Sequence, residues 1–289
     1  MDVLFVSDID MIGLPKNARL LKLSFKELTE RVVKQLGRSV SLANIRRLCD
    51  FKPMWGKVFA EYLTGYRYWA FGDCDVVYGR QLGDVIKEVV DGDYDVASLR
   101  EKWVSGGLTF LKNTETVRSL YARADDLDRV LQADEYSCFD ECRVSRFAEL
   151  YSGAISIFDC HREAGDSFTA ILWRAKDLKF YHQDRICENP LSSALVYVRD
   201  GRVFWGGTEV PMFHFVRIKA RRYFSYRDVP VERLNVPYVI DDTGFYVGMV
   251  ERILRPVLRR IKKLRAILMS VIDNGFAFTW RRLMRINGR

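Results

Sequence analysis

Two aspartates one residue apart, set inside an apolar run, are the residues of this sequence best placed to do chemistry. In YRYWAFGDCDVVYG (residues 66–79) an aromatic run reaches Gly72, delivers Asp73 and Asp75, and continues as Val76, Val77 and Tyr78 to Gly79. A bulky run bounded by glycines predicts one buried strand. Side chains at i and i+2 of an extended segment point the same way, so Asp73 and Asp75 share a face and Cys74 takes the other. Carboxylates crowded together repel, and burial makes each charge more costly, unless a cation lies between them. A divalent metal is the simplest such cation. The triplet alone says little, because D-x-D recurs at Asp8/Asp10, Asp91/Asp93, Asp93/Asp95 and Asp126/Asp128. Only the pair at 73 and 75 has core-forming residues on both sides.

Other stretches offer polar groups with plainer readings beside the functional ones. In CDFKP (49–53), Asp50 and Lys52 precede a helix that Pro53 can start, so they either reach a ligand at its N-terminus or serve as a cap and a solvated lysine. Gly106 and Gly107 stand just before a strand, where glycine admits close approach of a ligand or makes a bulge. Phe139-Asp140-Glu141 is expected to open a helix whose dipole tolerates two carboxylates. His214, within VPMFHFVRIK, is either a satisfied core histidine or a ligand.

The elements that must position these groups alternate. Strands are expected at Val3–Val6, Tyr94–Ser98, Ala154–Phe158, Leu178–Tyr181, Leu195–Val198 and Val210–Val216, with a hairpin at Arg199-Asp-Gly-Arg202. Helices are expected over about 24–36, where Ser24 and Glu27 form a capping box, after Pro53, over Asp84–Val90 and from Thr114. This alternation predicts an α/β domain with a largely parallel sheet, and in such sheets ligands lie beyond the carboxyl ends of the strands.

The chain has 289 residues, 48% of them apolar and 13% aromatic, which excludes a disordered protein and allows one large domain with an appendage. Its net charge of +8 is confined to the tail: residues 251–289 hold eleven Lys/Arg against Glu251 and Asp273. There Val250, Ile253, Leu254, Val257, Leu258, Ile261, Leu264, Ile267, Leu268, Val271 and Ile272 mark one helical face, Arg and Lys fill the other, and Phe276, Phe278 and Trp280 follow. We read 1–245 as the body and 246–289 as a basic amphipathic helical tail suited to an anionic membrane surface, with packing on the body as the competing reading. No nucleic-acid module is recognisable. The six cysteines form no CxxC pair or zinc-spaced cluster, which predicts reduced thiols in the cytoplasm. Neither a signal peptide nor a membrane span is expected.

Taken in order, CDFKP (49–53), FGDCDVVYG (71–79), SGGLTFLKN (105–113), FDE (139–141) and FHFVRIK (213–219) resemble a bacterial family of GT-A-fold glycosyltransferases of capsule and surface-polysaccharide synthesis. More remotely they are similar to glycogenin-type and lipopolysaccharide glycosyltransferases. The resemblance implies a GT-A-like (Rossmann-like) mixed sheet flanked by helices, and transfer of a hexose from a nucleoside-diphosphate sugar, UDP-linked first, to a surface polysaccharide or lipid-linked glycan. It implies that Asp73, Asp75 and His214 hold Mn2+ or Mg2+. Asp50, Lys52, Asp73, Gly106, Gly107, Arg217 and Lys219 would line the donor, and Asp140 and Glu141 would face the sugar or acceptor, one of them serving as base. With the basic tail, it implies a peripheral place on the inner face of the cytoplasmic membrane.

Departures from that pattern accompany it. The resemblance implies a further strand and helix before Val3–Asp8 that would hold part of the nucleotide. Gly107 replaces a polar residue, and Val216-Arg217-Ile218 replaces a more polar run. A donor-site-defective, membrane-associated partner of other transferases, and a metal-dependent nucleotidyltransferase, are therefore the alternatives.

Overall fold

The structure is a computed structural model and describes residues 1–188, 195–219, 224 and 236–274. It is a mixed α/β protein that divides into two compact units, Met1–Cys74 with Lys87–Arg185, and Asp75–Ile86 with Ile186–Arg289. Residues 246–274 of the expected tail fall in the second unit.

In the first unit, Val3–Ser7 and Ala18–Lys22 form a parallel pair, the second strand not anticipated from the sequence. A four-stranded sheet follows in the order Tyr68–Gly72, Leu108–Lys112, Val96–Ser98, Phe180–His182. Its first two pairings are antiparallel and only the last is parallel. The largely parallel sheet predicted from alternation is therefore corrected to a mixed one. The loop 99–107 between two of these strands is shorter than the dozen or so residues a parallel crossover requires, so the chain turns back on itself. Trp69 and Phe71 alternate inward along their strand and pack with Val96, Leu111, Phe168 and Leu172.

The helix Phe25–Leu36 carries the predicted capping box, with Glu27 accepting from the Ser24 amide at 2.7 Å. Its Leu28 and Val32 pack against Phe51, Met54 and Val58. The helix expected after Pro53 is broken into short turns, Lys52–Met54, Trp55–Val58 and Ala60–Leu63. Thr114 caps Glu115–Arg118 as anticipated.

Two expectations in this unit fail for identifiable reasons. Ala154–Phe158 is not a strand. Ser156 and Asp159 form a second capping box that starts the helix Ile157–Ala164, and local hydrogen bonds win over the alternation of apolar residues. Phe139-Asp140-Glu141 opens no helix. It lies in a turn between Cys138 and Arg143, both at positive φ, closed by the Arg143 amide on the Cys138 carbonyl at 2.8 Å.

The predicted central strand over 66–79 is two strands. Tyr68–Gly72 ends before Asp73, and Val76–Tyr78 begins after Asp75 and joins a sheet of the second unit in the order Val76–Tyr78, Met212–His214, Ile186–Glu188. The second unit also has a five-stranded sheet, Thr208–Val210, Arg202–Trp205, Val196–Arg199, Tyr238–Asp241, Gly244–Val247. The hairpin at Asp200-Gly201 is as read from the sequence, both residues having positive φ. The expected strand Val210–Val216 is cut at Pro211 and ends at His214, and Val216–Lys219 is a helical turn. The helix Gly248–Asn274 follows, and no described helix is long and apolar enough to cross a membrane. Phe276, Phe278 and Trp280, and the side chains of Val250, Ile267, Val271 and Ile272, lie outside the described residues.

Packing in the first unit leaves no room at Gly56, where a Cβ would lie 2.4 Å from the buried Trp69 ring. Gly56→Val should cost about 1–3 kcal/mol through overpacking, read as a lower urea midpoint by tryptophan fluorescence. An unchanged midpoint would show that the short helix Trp55–Val58 is not seated on Trp69.

Candidate functional site

In the first unit the site is built around Lys52. The 3-10 turn Lys52–Met54 buries its side chain, and Nζ donates to Asp73 Oδ1 at 2.6 Å and to the Gly106 carbonyl at 3.0 Å. Asp140 Oδ2 is 3.3 Å away. Burial works against the ammonium's charge, but Asp140 and Asp73 outweigh it and hold Lys52 above the usual lysine range. The solvated-lysine reading is thus excluded.

Gly106 closes the cluster from the other side. Its amide donates to Glu141 Oε1 at 2.9 Å, and a Cβ here would meet Asp140 Oδ2 at 2.9 Å and Lys52 Nζ at 3.1 Å. The glycine is needed for close approach, to side chains of this chain. Gly107 accepts from the Asp73 amide at 3.2 Å and so fixes the end of the strand that delivers the motif. Burial raises Asp140, with Lys52 offsetting part of the effect, and burial followed by the charge of Asp140 raises Glu141. The adjacent acids therefore keep a proton above the ordinary carboxylate range.

Asp50 was expected to face a donor. It is instead fully buried in an ion pair with Arg47, and it accepts from the Ser137 amide at 2.9 Å, the Ser137 hydroxyl at 3.1 Å and the Phe139 amide at 2.7 Å. These bonds pin the turn that carries Asp140 and Glu141, so Asp50 positions the acids from behind. Asp50 closes the 3-10 turn Ile45–Cys49 whereas Lys52 opens the next one, Lys52–Met54, and the two side chains enter different environments. Arg47, Ser137 and Tyr136, whose hydroxyl donates to Asp140 Oδ1 at 3.1 Å, were not anticipated. Arg47 stands three residues before Asp50, which was its only signal.

In the second unit Asp75 is the centre. His214, on the strand Met212–His214 and in register opposite Val76, brings Nε2 to 3.3 Å from Asp75 Oδ2. Lys219, one helical turn onward, brings Nζ to 2.5 Å from the same oxygen. The Phe215 amide donates to the Asp75 carbonyl at 3.0 Å and locks the two segments together. Burial alone would push the Asp75 carboxyl up. Hydrogen bonds and charge from His214 and Lys219 outweigh burial and hold it well below the ordinary carboxylate range. The side chain of Arg217 lies outside the described ones.

Asp73 and Asp75 are separated in the chain by Cys74 alone. One ligand atom each from Asp73, Asp75 and His214 lies within 4.8 Å of the others. Two ionisable carboxylates and an imidazole are a fitting donor set for a divalent cation, the mixed oxygen and nitrogen ligands suiting Mn2+ and the carboxylates alone suiting Mg2+.

The chain belongs to a family of unknown function (DUF6625), which it matches over residues 1–229. No curated protein and no solved structure matches it. The matched stretch takes in every site residue from Asp50 to Lys219 and stops before the helix Gly248–Asn274.

The raised acids set a pH dependence. An acid whose folded pKa exceeds its unfolded value takes up a proton on folding, so its contribution turns unfavourable as pH rises from the unfolded value, 4.5 for Glu141, through the raised one. Glu141→Gln should therefore unfold at a higher temperature than the wild type at about pH 8.5, with the gap closing near about pH 4. Parallel melting curves across pH would show that Glu141 titrates normally.

Proposed function

We propose that the chain is a metal-dependent glycosyltransferase that moves a hexose from a nucleoside-diphosphate sugar, UDP-linked in the first instance, to a surface-polysaccharide or lipid-linked glycan acceptor. The observation that carries the reading is the grouping of Asp73, Asp75 and His214, with Lys219 on Asp75. Such transfer breaks the bond from the anomeric carbon to a diphosphate oxygen and forms one to an acceptor hydroxyl, which loses its proton.

A divalent cation on Asp73, Asp75 and His214 would supply neutralisation of the negative charge left on the nucleoside diphosphate. The chain's own residues do the rest. Asp75 is kept ionised by His214 and Lys219, so it needs no proton loss to act as a ligand. Lys219 is about one-third exposed and brings a second positive charge suited to phosphate oxygens. Lys52 holds Asp73 and Asp140 in fixed geometry without itself being available to solvent. Asp140 and Glu141, with proton affinity raised toward neutrality, are matched to accepting a proton from a hydroxyl, since a base works best when its pKa lies near the working pH.

Calorimetry of UDP binding with and without Mn2+ tests the reading. The chain should bind UDP in the presence of Mn2+, and Asp75→Ala should weaken that binding by about 100-fold or more. Equal binding by the wild type and the folded variant would remove Asp75 from the donor site and sink the proposal.

A further inference from the structure

The helix Gly248–Asn274 packs with its charged side inward. Arg255 Nη1 lies 2.9 Å from Asp241 Oδ2, Arg259 makes two bonds to Asp242 at 2.8 and 3.1 Å, and Lys263 Nζ lies 2.9 Å from Asp242. Lys262 donates to the Thr243 carbonyl at 3.0 Å, and Arg252 stands over the Tyr197 ring. Asp241 and Asp242 lead the turn between the strands Tyr238–Asp241 and Gly244–Val247, so a neighbouring hairpin of the same unit neutralises the basic face.

The apolar face looks outward. Met249, Ile253, Leu254, Val257, Ile261, Leu264 and Leu268 are all exposed, Met249 to 73% and Leu264 to 66%. Steps of three and four residues place them on one stripe, about 29 Å long at 1.5 Å per residue. A contiguous exposed apolar stripe of this kind marks an interaction surface. Arg260 and Arg265, both exposed, border it on opposite sides at about 60° and about 80° from its midline, at 100° per residue. Glu251, the acid of this helix whose side chain is described, accepts from the Val247 amide on the hairpin side.

We infer that this stripe docks in the plane of an anionic phospholipid surface, its apolar side chains among the acyl chains and Arg260 and Arg265 reaching the phosphates. The bordering charge selects this occupant. Pairing two copies along the stripe would set arginines against arginines with no described acid at the border to receive them, whereas lipid phosphates complement both edges. Among the described basic residues Arg255, Arg259 and Lys263 are occupied by Asp241 and Asp242, so attachment of the described helix depends chiefly on apolar insertion and is only weakly sensitive to salt. The family match, residues 1–229, ends before this helix. The inference rests on the helix alone and is independent of the transfer reaction.

Flotation of the full chain with vesicles of phosphatidylcholine, with and without phosphatidylglycerol, tests it. The wild type should float with the anionic vesicles and lose only a few-fold at high salt. Ile261→Ser with Leu264→Ser should lose at least about 10-fold, and Arg260→Gln with Arg265→Gln a smaller amount. Circular dichroism checks that the variants fold, and Val257→Ser with Leu268→Ser repeats the test at other positions of the stripe. The inference is overturned if the folded wild type stays with the buffer, or if the serine variants float like it. A solution dimer that the serine variants split, without vesicle binding, would assign the stripe to a second copy.

Discussion

A lysine ammonium held out of water is what lets the acids of the first unit share one place. Lys52 touches Asp73, Asp140 and the Gly106 carbonyl, and Glu141 hangs from the Gly106 amide. Without that cation, acids from two distant stretches of chain would repel at close range with burial magnifying the repulsion. The same device is repeated behind it, where fully buried Arg47 neutralises Asp50 and Asp50 ties down Ser137 and Phe139. Buried ion pairs return little net stability against their desolvation cost. Their effect here is positional, since they fix the turn 138–143, which no regular backbone ladder supports.

The second unit solves a similar problem with the signs exchanged in number. One carboxylate, Asp75, faces the imidazole of His214 and the ammonium of Lys219, so an acid that burial would neutralise stays ionised. A cation entering beside Asp75 would meet a carboxylate already deprotonated. In the same unit Asp241 and Asp242 gather Arg255, Arg259 and Lys263, and the apolar face of the long helix is turned to the outside as a result.

The local signals of this sequence were readable where one residue type has one mechanism. Ser24 with Glu27, Thr114 and Asp200-Gly201 each form the cap or turn that their residue types announce, and His214 lies within reach of Asp73 and Asp75. Direction and continuity were not readable. That the run over 66–79 is two strands depends on partners at 108–112 and 212–214, which alternation does not encode. The turn at Asp140 needs positive φ at Cys138 and Arg143, and neither is a glycine that would have announced it. Ser156 and Asp159 carry a capping signal that overrides the apolar residues beside them. The outward apolar face of the last helix could not be seen, because its orientation is set by two aspartates outside the helix.

The claim that the rest depends on is that His214 and Asp75 are metal ligands and not a buried ion pair alone. Pulsed electron paramagnetic resonance of bound Mn2+ addresses it directly, because a coordinated imidazole nitrogen modulates the echo. The account predicts nitrogen modulation in the wild type and its loss in His214→Gln. Mn2+ bound without nitrogen modulation, or modulation unchanged by that substitution, would contradict it.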